Sequence, residues 1–431
     1  MSIIQIREHQ QLPHKGETLE ERESFEILKN VKIDEKDEEL LEKLEKRKIL
    51  SINENPFTKK LILKAHSSIG IAQFTNFTVE IGPKFAEIDQ IVELIEYVND
   101  LDLEIFPESE TEFQGKSDIL SEIIIASFLN KVQVLFHQGM VKSYNIQKEN
   151  IPALRGKLLL SQQLQNDFRG KLQFACEYDE LEYNNLENQI ILYCLKLCSN
   201  ITRNPSHKQQ INQLLQPISD LIDDKQITKD DFNKINYNQM NHHYKKIHDD
   251  CKFIIDSIKI SDFFEEGSEK FTNSFFVNMD NIFEKFVFML FDESYPNRCE
   301  QKTSSEGFRS EINKKETRDI EPDILINDDD EKLQLILDTK YKDDTISRDD
   351  RYQLSMYAAI KQKNDVYAIL PETTSSKIED WKVKNMNITI HVRYINIDEA
   401  LKVINSPEIE DRSKSIRNFL EDTILFEKLS N

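Results

Sequence analysis

The sequence is short of glycine, of paired cysteine and of positive charge, and each shortage removes a class of function. Nine glycines in 431 residues leave little material for phosphate-cradling loops. The one string that ends like a P-loop, Gly115-Lys116-Ser117, has Glu110 where the earlier glycine belongs and follows no apolar strand. Nucleotide hydrolysis at that point is excluded. Five cysteines, Cys176, Cys194, Cys198, Cys251 and Cys299, form an odd set without a CxxC pair. That pattern fits a reducing cytoplasm rather than a secreted disulfide framework, and Cys194 and Cys198, four apart in an apolar helix, read as core. No uncharged apolar run reaches the roughly 18 residues of a membrane span, and Met1–Gln10 has no signal-peptide pattern. A soluble, cytoplasmic protein with no membrane partner is expected. Lys and Arg number 56 against 78 Asp and Glu, a net charge of −22 spread along most of the chain. Such a chain repels a polyanion and should bind nucleic acid poorly by itself.

What is present centres on Glu321–Lys342, EPDILINDDDEKLQLILDTKYK. Two apolar runs, Ile324–Ile326 and Leu333–Leu337, flank the polar cluster Asn327–Asp330, which predicts a β-hairpin. Asp323 opens the first strand directly after Pro322. Asp338 ends the second, two residues before Lys340, so Asp338 and Lys340 share one strand face and Thr339 takes the other. Two carboxylates and an ammonium meeting at paired strand ends suit a hard cation such as Mg²⁺, which takes one or two carboxylates and leaves room for phosphate oxygens. The DxK tripeptide also starts at Asp34, Asp223, Asp250 and Asp380, but only the copy at Asp338 ends an apolar strand preceded by a Pro-Asp strand. This arrangement resembles the PD-(D/E)xK nuclease pattern. The plain alternative is a surface hairpin with a solvated acidic turn.

The flanks bear on that choice. Asn278–Phe291 predicts a helix apolar almost all round, with Glu284 on a stripe with Val287, Phe288 and Phe291. A carboxylate among aromatics costs several kcal/mol unless it is paired or bound to a cation. The alternative places Glu284 at a helix edge beside Lys285. Arg348–Ala359 predicts a second helix carrying Gln353 and Tyr357 one turn apart, where nucleases of this pattern often place a Gln or Lys facing the scissile phosphate.

In chain order, Ser2–Arg7 alternates as a strand, Lys36–Ile49 is a charged helix, and Lys60–Lys64, Ile69–Phe74 and Phe77–Ile81 are short strands closed by the helix Ile88–Val98. A β-rich N-terminal module over residues 1–115 follows. The period then changes to 3.6: Ile119–Gly139, Asn185–Ser199, Gln209–Ile222 and Tyr237–Ile258 predict helices, with an extended stretch at Pro152–Tyr178. Residues 116–262 form a mainly helical middle domain. His243, His248 and Cys251 do not share a helical face, which argues against a metal cluster. After the polar linker Phe263–Asn273, residues 263–431 predict helix 278–293, strands at about 308–312, 321–326 and 333–341, helix 347–362, strands 366–371 and 388–397, and a terminal helix 411–429. The fold class expected is α+β and multidomain, ending in an α/β nuclease domain.

The chain resembles the McrC family, the nuclease subunit of McrBC-type systems that restrict modified (5-methylcytosine) DNA. The likeness is carried by IGIAQFTNFTVEIGPKF, LRGKLLLSQQLQN and CEYDELEYNNLENQIILYCL, then by EPDILI, ILDTKYK and DRYQLSMYA, in that order. It implies a partner, an McrB-type AAA+ GTPase ring that recognises modified double-stranded DNA and translocates while this subunit docks by its N-terminal region and cuts. Loop His9–Lys32 departs from anything in that pattern. With the resemblance, the expected site is Asp323 and Asp338 holding Mg²⁺ (Mn²⁺ substituting), the Thr339 carbonyl as a third ligand, Lys340 acting on the attacking water, Glu284 as a further carboxylate and Gln353 orienting the phosphate. The competing function is a non-catalytic adaptor that stimulates the GTPase and keeps the nuclease fold as scaffold.

Overall fold

A computed structural model describes residues 2–12, 24, 28, 33, 35–54, 61–101, 103, 116–259, 274–302, 308–309, 316–317, 321–328, 332–343, 345–405 and 409–425. The N-terminal module holds two small sheets. Strands β1 (Ser2–Arg7), β2 (Gln11–Leu12), β3 (Leu50–Glu54), β4 (Leu61–Ala65), β5 (Ser68–Gln73) and β6 (Phe77–Gly82) build them, with β1 parallel to β6 and β5 antiparallel to β6, while β2, β4 and β3 form the second. The inward residues alternate as the sequence pattern requires: Ile4, Ile6, Val79 and Ile81 are fully or almost fully buried.

The middle region is helical but not only helical. Helices Lys116–Gln138, Leu186–Ile201, Pro205–Leu215 and Tyr244–Lys259 pack on one another and share a core of Phe128, Ile190, Cys194, Cys198, Cys251 and Ile254. The helix expected at 209–222 starts and ends earlier, because Asn204 caps it and Pro205 fills its first turn. Between the first two runs an arm of three strands, β7 (Ser143–Ile151), β8 (Lys157–Leu158) and β9 (Phe174–Glu182), carries the short helix Leu160–Phe168. β7 gave no alternating signal in the sequence, since both of its faces are largely solvated.

Strand β10 (Phe275–Asn278) was not expected. It enters the last region by pairing antiparallel with β5, so the N-terminal sheet has the order β1-β6-β5-β10. A side chain on Gly70 could not tolerate this approach: its Cβ would lie 2.0 Å from the Phe275 carbonyl oxygen, and its φ of +151° belongs to glycine. Phe276 faces the N-terminal core and Phe275 the main core, so this strand joins the two.

The last region is a six-stranded mixed sheet ordered β11-β14-β15-β16-β18-β17, from β11 (Cys299–Gln301), β14 (Ile324–Asn327), β15 (Leu333–Thr339), β16 (Asp365–Pro371), β17 (Glu379–Lys382) and β18 (Thr389–Ile395). Strands β12 (Phe308–Arg309) and β13 (Glu316–Thr317) pair with each other outside it. The two faces follow the period of two. Ile324, Ile326, Leu337 and Ile369 join the main core under helix Met279–Ser294, whereas Leu325, Ile336, Ala368 and Leu370 pack against Leu354 and Ala358 of helix Arg348–Ile360. The α+β class is observed. The edge strands β11 and β17 escaped the sequence pattern because each has few buried residues. Helix Ile397–Ile404 was not expected; the helix expected at 411–429 runs over Ile409–Leu420 and continues as a π-turn at Glu421–Leu425, while residues 426–429 lie outside the described ones, as does the expected linker.

Candidate active site

The hairpin predicted at 321–342 is present, with Ile324 opposite Leu337. Its two acids meet as the pattern required. Asp338 sits at the end of β15, 1 % exposed, and pairs through Oδ2 with the ammonium of Lys340. Asp323, just ahead of β14, turns back across the pair: its Oδ2 accepts from the Thr339 amide at 2.6 Å and from the Thr339 hydroxyl at 2.8 Å. Alternation had given the Thr339 side chain no task, whereas here it clamps the neighbouring acid. The other Asp323 oxygen takes no hydrogen bond among the described residues, and Asp338 Oδ2 takes none of normal geometry beyond its ion contact. Lys340 is itself fixed by its amide, which donates to the Ile369 carbonyl at 2.8 Å and extends the parallel pairing of β15 with β16.

Electrostatics set these groups apart from an ordinary surface hairpin. Burial first, and then the charge of Asp323, push the Asp338 carboxyl up to about 7 despite Lys340. Burial works against the charge on Lys340, but Asp338 and Asp323 outweigh it and hold the ammonium above its usual range. Such crowding of like charge is relieved by a divalent cation.

Glu284 lies on helix Met279–Ser294, which Asn278 caps by accepting from the Asn281 amide at 3.0 Å. The carboxylate is 8 % exposed, and burial followed by the Asp323 charge raise its pKa. Its partners are Lys302 at 3.0 Å and Gln301 at 3.4 Å, both at the end of β11, rather than Lys285. One turn earlier on that helix, Asp280 lies within the electrostatic reach of Lys340 and Asp323. Sequence reasoning missed it, although its spacing of four from Glu284 was a signal. Gln353 is exposed and donates to the Tyr357 hydroxyl at 2.8 Å, which in turn donates to the Glu321 carbonyl at 3.2 Å beside Asp323. Helix Arg348–Ile360 is aimed there by a capping box between Ser347 and Asp350.

The donors fit a hard cation on the chain's own evidence. Two carboxylates with lone pairs left over, one of them raised by the other, stand beside a backbone carbonyl at Thr339. Among the described residues no three His, Cys, Asp or Glu side chains form a ready ligand cluster. A cation here would therefore rely on two acids and a carbonyl, which suits Mg²⁺ with its retained waters better than an all-protein cage. The His248 ring, by contrast, is spent on the Tyr237 hydroxyl at 2.8 Å and the Glu187 carbonyl at 3.0 Å.

Comparison with known proteins bears on the family and the fold. No helix among the described residues is long and apolar enough to cross a membrane. No curated protein matches the sequence significantly. A chain of the refined half-complex from a tetradecameric assembly of Thermococcus gammatolerans McrB AAA+ hexamers with bound McrC is similar over 97 % of this chain and 100 % of its own length, at 16 % identity and a TM-score of 0.60. A second chain, from the McrBC complex of the same organism, is similar over 66 % of this chain and 86 % of its own at 18 % identity and a TM-score of 0.44. These likenesses concern the fold. The family described as the McrBC 5-methylcytosine restriction system component matches residues 63–370, from strand β4 through the end of β16 and across the whole Asp323–Lys340 site, and this chain belongs to that family.

Proposed function

We propose that this chain is the Mg²⁺-dependent endonuclease subunit of a McrBC-like restriction system, cutting modified duplex DNA delivered by an McrB-type AAA+ GTPase ring and stimulating GTP hydrolysis by that ring. The observation that carries the reading is the buried Asp338–Lys340 pair under Asp323. Asp338 is 1 % exposed, crowded by Asp323 and paired with the partly buried Lys340 ammonium, a costly arrangement that a non-catalytic scaffold does not need.

Asp323, Asp338 and the Thr339 carbonyl would hold Mg²⁺, with Glu284 behind Asp323 and Mn²⁺ able to replace it. The bound ion would supply charge neutralisation at the phosphate and a more acidic water. Lys340 stands where its ammonium can leave Asp338 for the scissile phosphate and offset the charge that develops during in-line attack. The clamp of Thr339 on Asp323 keeps that acid from following. Gln353, held by Tyr357, presents its amide on the adjacent helix to orient the phosphate.

The β7–β9 arm would serve docking. Nine of the seventeen exposed large apolar side chains among the described residues lie on the arm of β7–β9, including Leu160, Leu164 and Phe168 along one helical stripe at 70, 58 and 91 % exposure. Residues 1–115 were the expected docking region; the arm adds exposed apolar side chains of the kind a partner covers. The same arm carries the basic residues Arg155, Lys157, Arg169 and Lys171 in an otherwise acidic chain. The solved assembly of AAA+ hexamers with bound McrC points to the ring as its occupant. The test is cleavage of a methylated plasmid by the purified chain with its ring partner, GTP and Mg²⁺. Linear product that disappears with EDTA or without the ring supports the reading, and an intact plasmid in the complete mixture contradicts it.

A further inference from the structure

Lys340 lies between two sets of anchors. Upstream, Asp338 and Thr339 are held within the sheet and by Asp323. Downstream, Tyr341 and Asp343 are held by the N-terminal module, more than 250 residues away in sequence. Glu8, directly after β1, is 0 % exposed, and its Oε1 accepts from the Tyr341 hydroxyl at 2.7 Å and from the Lys84 amide at 2.9 Å. Glu8 is in turn fixed by its own amide, which donates to the Gly82 carbonyl at 3.0 Å. The Lys84 ammonium pairs with Asp343. Phe85 meets the Tyr341 ring edge-on at 4.8 Å, His9 flanks it at 6.0 Å, and Phe283 of the Glu284 helix closes the other side at 5.6 Å.

A buried carboxylate is a costly fastener. Among the described residues Glu8 Oε2 makes no hydrogen bond, and burial pushes the group up to about 7 even though Tyr341 and the Lys84 amide favour its charge. Two apolar groups of the same shape would join the modules without that penalty. What the hydrogen bond adds is direction. It fixes the Tyr341 ring, and with it the peptide that follows Lys340. The same module reaches the Glu284 helix, because the Met279 amide donates to the Ser67 carbonyl at 2.9 Å.

We propose that Glu8 is a positioning residue for the cleavage site: through Tyr341 it ties the N-terminal module to the strand end that carries Lys340, so that the seating of this module sets where the ammonium stands. The inference rests on the reading of Lys340 as catalytic. It makes the module a sensor as well as a dock, since a shift of β1 against β6 reaches Lys340 through one side chain.

The test uses Glu8→Gln, which keeps the shape and an acceptor oxygen, and Tyr341→Phe, which keeps the ring. Hydrogen exchange of the full chain, read on peptides covering Lys340 and Lys342, should speed up by about tenfold in both variants while the peptides of β7–β9 exchange as in wild type. In the complex with the ring, GTP and Mg²⁺, kcat should fall by about tenfold, with KM for DNA unchanged and Tm not lowered, and the double variant should lose no more than either single one. Exchange and kcat at wild-type values in both variants would overturn the proposal. So would losses that add in the double variant, or that are matched by lowered Tm and raised KM. Failure of the wild-type complex to cut would count against the nuclease reading instead, and the exchange comparison would still decide whether Glu8 holds Lys340.

Discussion

The sheet that carries Asp338 and the β7–β9 arm break the usual rule of burial in opposite senses. In the sheet, charge goes inside: Asp338, Glu284 and Lys340 lie in or beside the core while the apolar residues around them are fully packed. On the arm, apolar groups go outside: Phe168 and Leu172 are 91 and 96 % exposed, and the strands beneath them are tied by polar contacts such as Tyr178 to Glu149 and Arg155 over the Tyr178 ring. Each departure carries an energetic cost, which a bound cation would relieve at the buried like charges and a partner surface would relieve at the exposed apolar stripe. The two lie on different parts of the chain, so each can be removed without the other.

Changing Lys340 should break the first half most severely. Lys340→Ala is expected to lower the cleavage rate by at least about 10²-fold while leaving ring binding intact, because the ammonium acts on charge that forms only in the transition state. Single-turnover cleavage beside a ring pull-down checks both parts; activity within a few-fold of wild type removes Lys340 from the mechanism. The converse change is Leu164→Ser with Phe168→Ser. Truncating apolar anchors at an interface centre costs about 2–4 kcal/mol, so the ring should be bound at least tenfold more weakly. The Mg²⁺ response of the isolated chain should be unchanged, as thermal shift would show; equal ring affinity would leave the arm without its partner.

The sequence disclosed the sheet far better than the arm, for a physical reason. Buried strands must alternate or run apolar, so β14 and β15 announced themselves together with Asp323, Asp338 and Lys340. The arm's strands have both faces largely solvated, and the stretch 152–178 read as extended although Leu160–Phe168 is a helix whose apolar stripe is exposed. Glu8 was illegible because its partners, Tyr341 and Lys84, are brought to it only by the fold. The pairing of β10 with β5 hid in the same way, in four residues too short to show a period.

Two smaller effects sharpen the electrostatic half. The metal-free protein should lose stability as pH rises from about 4 to 7. The sign follows from Asp338: its folded pKa, about 7, lies above the 3.8 usual for an aspartate, so the native state binds more protons than the unfolded one in that window. The slope from one such group is at most roughly 1.4 kcal/mol per pH unit. Glu8, also raised to about 7, adds to it. Asp338→Asn should flatten the slope in urea titrations across that range, and an unchanged slope would mean that the carboxyl is not strained. Glu284→Gln is expected to weaken the Mg²⁺ response by less than the loss of Asp338 does, since Glu284 is already shared with Lys302. A difference from wild type below about 0.5 kcal/mol would assign it the role of an exposed surface group.

The central claim, that buried acids in this sheet are built around a divalent cation, is tested most directly by the stability gained on adding Mg²⁺ or Mn²⁺ to the metal-free chain. A ligand at a hundred times its Kd stabilises by about 2.7 kcal/mol, enough to move Tm by several degrees. The wild-type protein should show that gain, and Asp338→Ala, which keeps the arm and the N-terminal module, should lose it. The same metal-induced rise in Tm in both proteins would contradict the account.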